Sequence, residues 1–189
     1  VKEIKDDLHL DPWDYDINNP EFENDRPTYE LLASGKTNGV FQVESAGMKD
    51  LLIRLKPKLE QLDFEVISVI LALYRPDSMG ALDEYVEMAT GGSRPQLIHP
   101  DMDEILKDTN YCMIYQEQLL DIVKKFGGRT YGGADLFRKA IGKKIVELVQ
   151  KESEILRGEI VANGYSKEIA DKIANELSQK GGYLFNKSH

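Results

Sequence analysis

A single cysteine, Cys112, stands among 189 residues. It excludes an intramolecular disulfide and leaves no cysteine-based zinc site. The three histidines, His9, His99 and His189, are scattered, with no second histidine or carboxylate at a metal-binding spacing. No apolar run approaches the ~20 residues that cross a bilayer. The longest, Val66 to Tyr74, has the length of a core helix. The chain opens on Val1-Lys2-Glu3-Ile4, without an initiator Met or the charged-then-apolar layout of a signal peptide. These absences lead us to expect a reduced, cytosolic polypeptide with no membrane partner, excised from something longer.

What is present suits one soluble globular domain: 41% apolar and 30% charged residues, with a net charge of −9. That acidic balance argues against a general nucleic-acid coat, but the charge is unevenly placed. Residues 124–151 hold Lys124, Lys125, Arg129, Arg138, Lys139, Lys143, Lys144 and Lys151 against only Asp135 and Glu147. One basic island in an acidic chain either attracts a polyanion or forms a solvated helix face.

The pattern of apolar residues is helical nearly throughout. Residues 1–26, rich in Asp, Asn and Pro, read as an irregular acidic lead-in. Asp14, Asp16 and Asn18 imitate a calcium loop, but Asn19 and Asp25 stand where that loop needs Gly and Glu. From Pro27 a short helix runs to Leu32 and stops at Gly35, and Gly39 to Val43 alternates like a brief strand or extended link. Ser45 is a natural N-cap for a helix through Leu55, with Pro57 as its stop. Asp63 caps a largely apolar helix closing before Arg75-Pro76, and another follows around Leu82 to Ala89. Tyr115, Leu119, Ile122 and Phe126 form a stripe ending at Gly127-Gly128. A basic helix is predicted over Ala134 to Ile141, with Gly132-Gly133 before it exposing backbone N–H groups to an anion. The next carries Ile145, Leu148, Val149, Ile155 and Ile160 inward, and the last starts at Ser166 and stops at Gly181-Gly182. The expected class is mainly α, an irregular multi-helix domain over residues 27–189 with at most one or two very short strands.

Enzyme constellations are scarce. Cys112, between Tyr111 and Met113, reads as a small core residue. Gly142-Lys143-Lys144 lacks the upstream Gly and the following Ser or Thr of a phosphate-binding loop. Five clusters remain, in order: Gly39 to Met48; Ala72-Leu73-Tyr74-Arg75-Pro76; Tyr115-Gln116-Glu117-Gln118; Gly132 to Lys144; and Phe185-Asn186-Lys187-Ser188-His189. Together these resemble the fingers region of the bacterial DNA polymerase III alpha subunits, the family C replicative DNA polymerases. The resemblance covers roughly Thr28 to His189. It departs at Lys139, where the family commonly has a second arginine, at Asp77, where it has Gly, and at Asn110-Tyr111-Cys112, where Thr-Tyr-Gly is usual. Lysine keeps the charge of arginine without its planar fork, so Arg138 is the stronger phosphate candidate.

The resemblance implies a helical fingers domain of a DNA-directed DNA polymerase, a nucleotidyltransferase of DNA replication. It implies that the acidic lead-in connects to a palm domain of the same polypeptide. The implied nucleotide-binding residues are Arg138, Lys139, Lys143, Lys144 and Arg75. Phe185, Lys187 and His189 would lie near the nascent base pair, and Gln42, Glu44 and Ser45 would meet the palm. In the family Mg²⁺ is held by palm aspartates, which find no equivalent here, so the isolated chain is expected to be inactive and to bind no metal. The implied partners are primer–template DNA, deoxynucleoside triphosphate (dNTP) and replisome subunits of the holoenzyme, at the nucleoid in the cytoplasm. Arg75 could instead satisfy the last carbonyls of its helix, and Ser45 could be only a cap. A non-enzymatic acidic helical interaction module, descended from such a polymerase, is the alternative.

Overall fold

The computed structural model describes residues 25–61, 63–93 and 95–188, so most of the acidic lead-in, the calcium-like pattern and His189 lie outside the described residues. Among the described residues there are ten α-helices, three 3₁₀ turns and no strand, the mainly α class that the periodicity predicts. The helices are α1 (Arg26–Ala33), α2 (Ala46–Arg54), α3 (Lys56–Leu59), α4 (Phe64–Leu73) and α5 (Met79–Ala89), then α6 (Asp103–Leu106), α7 (Gln116–Gly127), α8 (Tyr131–Gly142), α9 (Val146–Ala162) and α10 (Lys167–Lys180). The chain divides into two compact units, Val1–Ile67 and Ser68–His189.

In the first unit α1 starts with Asp25 as N-cap and Pro27 in the first turn, where its missing N–H is no loss. Tyr29 and Leu32 of α1 are buried, as are Met48, Leu51 and Leu52 of α2 and Leu59 of α3. Pro57, expected as a stop, instead sits in the first turn of the one-turn helix α3. Gly39 to Val43 is not extended. Gly39 (φ 78°) and Gln42 (φ 65°) are both left-handed, which breaks the run into turns. The buried Thr37 Oγ1 donates to the Val43 carbonyl at 2.5 Å and closes the loop. Ser45 caps α2 by accepting from the Met48 N–H, although at a long 3.4 Å. Ser45→Ala is therefore expected to cost about 0.5–1 kcal/mol, the lower part of the N-cap range. A urea titration of both forms checks it.

Helix α4 is apolar on most sides and buries Val66, Val69, Ile70 and Ala72 completely, the core helix its composition predicts. In the second unit α7 lies beside α8, and α9 runs along α10 and also packs on α7 and α8. Their core is Leu119, Ile122, Val123 and Phe126 from α7, Phe137 and Ile141 from α8, Leu156 and Ile160 from α9, and Ile173 and Leu177 from α10. The inward face of α9 differs from expectation. Ser153, Leu156 and Ile160 point in, while Ile145 and Ile155 are exposed. Two glycines are required by geometry. Gly128 ends α7 in the left-handed region. A Cβ at Gly181 would stand 2.6 Å from the Leu177 carbonyl and 3.0 Å from Ile141.

The basic helix also begins earlier than predicted. Gly132 and Gly133 lie inside its first turn, and the Gly133 N–H, expected to face an anion, donates to Thr130 Oγ1 at 3.2 Å. A hydroxyl at the N-cap thus recruits glycines that alone would read as breakers. Arg129, just before that cap, is nearly buried and donates through Nε to Glu159 Oε2 at 2.6 Å. Its Nη1 lies 3.3 Å from Glu152 Oε2. One guanidinium therefore ties the entry of α8 to two turns of α9.

Candidate functional site

Helix α8 buries Ala134, Phe137, Ala140 and Ile141, which turns Asp135, Arg138 and Lys139 toward solvent. Arg138 Nε and Nη2 both meet Asp135 Oδ1 at 2.8 Å, and Lys139 Nζ lies 2.7 Å from Asp135 Oδ2. The two cations share one carboxylate. Lys139 and then Arg138, by hydrogen bonds to the charged form, hold the Asp135 carboxyl below its ordinary range. Lys143 follows as the C-cap, and Lys144 turns left-handed at φ 54°. Neither lysine has an ion-pair partner among the described residues. Lys144 Nζ lies 5.5 Å from the centre of the Tyr183 ring. Four cations thus occupy the last turns of one helix and its exit against one carboxylate.

Three of the island's other four cations are spent locally. Arg129 is clamped between Glu152 and Glu159, Lys125 lies 3.7 Å from Asp101, and Lys124 Nζ sits 3.6 Å above the Tyr131 ring. Asp101 accepts from Tyr165 Oη at 2.8 Å, and that bond leads the causes that hold its carboxyl below the usual range. His99 packs edge-on against Phe126 and Tyr165. Cys112 is buried, and desolvation pushes its thiol up to about 12, so it holds almost no thiolate near neutrality.

Arg75 is tied to protein through several of its guanidinium atoms. Its Nε donates to the Ala72 carbonyl at 2.7 Å, the helix-end role that was the alternative reading of this residue. Its Nη2 donates to the Tyr183 carbonyl at 3.1 Å and approaches Ser78 Oγ at 3.4 Å. Its guanidinium carbon lies 5.0 Å from the centre of the Phe185 ring.

The closing segment is docked. Phe185 N–H donates to the Ile114 carbonyl at 2.9 Å, and Gln116 N–H donates to the Phe185 carbonyl at 2.8 Å, a single parallel bridge between Tyr115 and Phe185. Gln116 Nε2 donates to the Leu184 carbonyl at 3.2 Å. Lys187 N–H donates to Glu117 Oε2 at 3.0 Å, and Lys187 Nζ lies 4.9 Å from the centre of the Tyr115 ring. Gln118 points the other way, into the core. Its Oε1 accepts from the Ile114 and Tyr115 N–H groups at 2.8 and 2.9 Å, and its Nε2 donates to Thr109 Oγ1 at 2.7 Å. The sequence separates Gln116 from Gln118 by helical spacing, as observed, but gives no sign that the partners lie 68 and 9 residues away.

In the first unit Glu44 Oε2 accepts from the Gly39 N–H at 2.9 Å, Ser45 caps α2, and Gln42 is exposed beside Phe41, which is 85% exposed at the loop tip. Ser45 and Glu44 therefore have local structural tasks whatever else they touch.

Comparison with known proteins decides the family. The family model described as bacterial DNA polymerase III alpha subunit finger domain matches residues 4–164. The chain belongs to that family. It is 40% identical over 166 residues to the DNA polymerase III subunit alpha of Halalkalibacterium halodurans, a match covering 88% of the chain and 14% of that protein. It is 40% identical over 178 residues to the same subunit of Aquifex aeolicus, covering 92% and 15%. With that of Borreliella burgdorferi it shares 38% over 178 residues, covering 90% and 15%. The chain thus spans about one seventh of the length of these curated relatives. As a polymerase III finger domain it carries the docked closing segment and the basic helix in one unit. Among its described residues no group of three or more His, Cys, Asp or Glu could hold a metal ion, and no helix is long and apolar enough to cross a membrane.

Proposed function

We propose that this finger domain serves a DNA-directed DNA polymerase by receiving the triphosphate of the incoming dNTP on Arg138, Lys139, Lys143 and Lys144. The supporting observation is the row itself, four cations in seven residues opposed by Asp135 alone. A dNTP brings about four negative charges on a chain of phosphate oxygens; metal ions would meet only some of those oxygens, and cationic side chains at fixed positions can donate hydrogen bonds to the others. Arg138 and Lys139 lie one turn from Gly142 and Lys143, so the donors of Lys139 and Lys143 succeed one another on one stripe at the end of the helix. Each charge-assisted hydrogen bond is worth roughly 1.5–3 kcal/mol. Asp135 holds Arg138 and Lys139 in place until the stronger anion takes over part of their donors.

In this reading Mg²⁺ would be held by aspartates of a palm in the same polypeptide and would supply charge neutralisation at the reacting phosphate. Gln42, Glu44 and Ser45 face that palm, and Phe185, Lys187 and His189 border the nascent base pair. Arg75 acts through its hold on Tyr183 and Phe185 rather than as a free phosphate donor. The parent works on primer–template DNA with other replisome subunits, at the nucleoid in the cytoplasm.

The test is primer extension. Purified 1–189 with Mg²⁺ and all four triphosphates is expected to extend no primer, whereas the parent polypeptide extends it. Template-dependent incorporation by 1–189 above a no-protein control would place the catalytic metals within this chain and refute the division of labour. Absence of extension by the full-length parent would refute the assignment to a polymerase.

A further inference from the structure

The closing segment, residues 181–187, runs between the two ends of the site. At its start Gly181 packs on Ile141 of the basic helix, and the Tyr183 ring lies under Lys144 Nζ. Further on, Phe185 lies under the Arg75 guanidinium, and Lys187 over the Tyr115 ring. Rings and cations thus alternate along seven residues, and no regular helix or sheet supports them. A short irregular segment keeps one geometry only if its backbone groups are satisfied elsewhere. Here they are satisfied by three side chains and one bridge: Arg75 on the Tyr183 carbonyl, Gln116 on the Leu184 carbonyl, Glu117 on the Lys187 N–H, and the Tyr115–Phe185 pair. Gln116 and Glu117 are partly exposed and outside the hydrophobic core, so folding of α7 makes little demand on either. Gln118, which organises the same turn from beneath, makes a separate set of bonds into the interior.

We infer that Gln116, Glu117 and Arg75 are positioning residues for nucleotide incorporation. They hold the backbone of residues 183–187 so that the Tyr183 ring under Lys144 and the Lys187 ammonium over the Tyr115 ring stand at fixed places, and none of the three touches the nucleotide. This inference rests on the reading that the α8 cations receive the triphosphate. An ordered strap presents its charges without first losing conformational freedom on binding, so loosening it should weaken nucleotide binding in the ground state. The expected kinetic signature is a rise in KM for dNTP with kcat largely retained.

The experiment uses the full-length parent polymerase carrying Gln116→Ala with Glu117→Ala, then Gln116→Ala with Glu117→Gln, and Arg138→Ala as reference. Gln can still accept the Lys187 N–H, so the second combination restores one brace. Amide hydrogen exchange over residues 181–188 is read beside single-nucleotide incorporation against dNTP concentration. The double alanine variant is expected to exchange at least tenfold faster there, with KM raised at least fivefold, kcat within twofold and primer–template affinity unchanged. The Glu117→Gln combination should recover at least half of the KM effect on a logarithmic scale, which a merely structural role would not predict. Unchanged exchange overturns the brace. Faster exchange with KM within twofold, while Arg138→Ala is impaired, overturns the positioning role. If Arg138→Ala is unimpaired as well, the reading of the cation row fails, and this inference falls with it.

Discussion

Arg138→Ala in the parent polymerase is expected to lower single-nucleotide incorporation efficiency roughly tenfold to a hundredfold, the kinetic equivalent of one charge-assisted bond of ~1.5–3 kcal/mol. The guanidinium already has two nitrogens on Asp135 Oδ1, so its plane is set and Nη1 remains for a phosphate oxygen. Lys139→Ala should cost less. It shares the same carboxylate through a more exposed ammonium, and an ammonium makes a looser contact than a guanidinium fork. A solvated helix face predicts something else: both substitutions within twofold, since exposed charges usually shift stability by under about 0.5 kcal/mol. Incorporation measured against dNTP concentration for wild type and both variants separates the two accounts. Loss of duplex affinity alone, with incorporation from saturated complexes intact, would assign the helix to DNA instead of nucleotide.

Gln118→Ala is expected to cost about 3 kcal/mol of unfolding free energy, because two buried N–H groups would lose their acceptor at ~1–3 kcal/mol each. Gln118 is 7% exposed, and its amide serves the N–H groups of Ile114 and Tyr115 and the hydroxyl of Thr109 together. Water cannot readily replace an amide that is packed into the core of the turn. Urea unfolding followed by circular dichroism measures the loss, and a change below about 1 kcal/mol would show that the turn relaxes to find other acceptors. The substitution also removes the underside of the turn on which Phe185 is docked. Amides of residues 185–187 should therefore lose protection before the helices do.

Much of the fold was legible because its signals are local. Ser45 and Ser166 cap helices as their spacing to apolar stripes predicts, and Gly128 ends α7. The Tyr115, Leu119, Ile122 and Phe126 stripe is buried as its period requires. The failures have a different origin. Gly132-Gly133 reads as a breaker only if the Thr130 hydroxyl is overlooked, and the alternation of Gly39 to Val43 is defeated by two left-handed residues. The hydrophobicity of Ile145 and Ile155 points them inward, whereas contact with α10 selects the face of Leu156 and Ile160. In the site, the basic residues were legible as a cluster, but their allocation was not. Whether Arg129 meets Glu159 or a ligand depends on helices 30 residues apart, and Arg75 meets a carbonyl 108 residues away. No periodicity carries that information.

The clamp at Arg129 has a thermodynamic consequence. With Nε on Glu159 and Nη1 near Glu152, the entry to α8 is fixed against two turns of α9 before any ligand arrives. The helix is thus preorganised, and the orientational entropy of its cation row is surrendered during folding, not at the encounter with an anion. On the proposed reading, part of the protein's stability is converted in advance into affinity for the triphosphate, so a charge that never reaches the ligand would govern how tightly it is held.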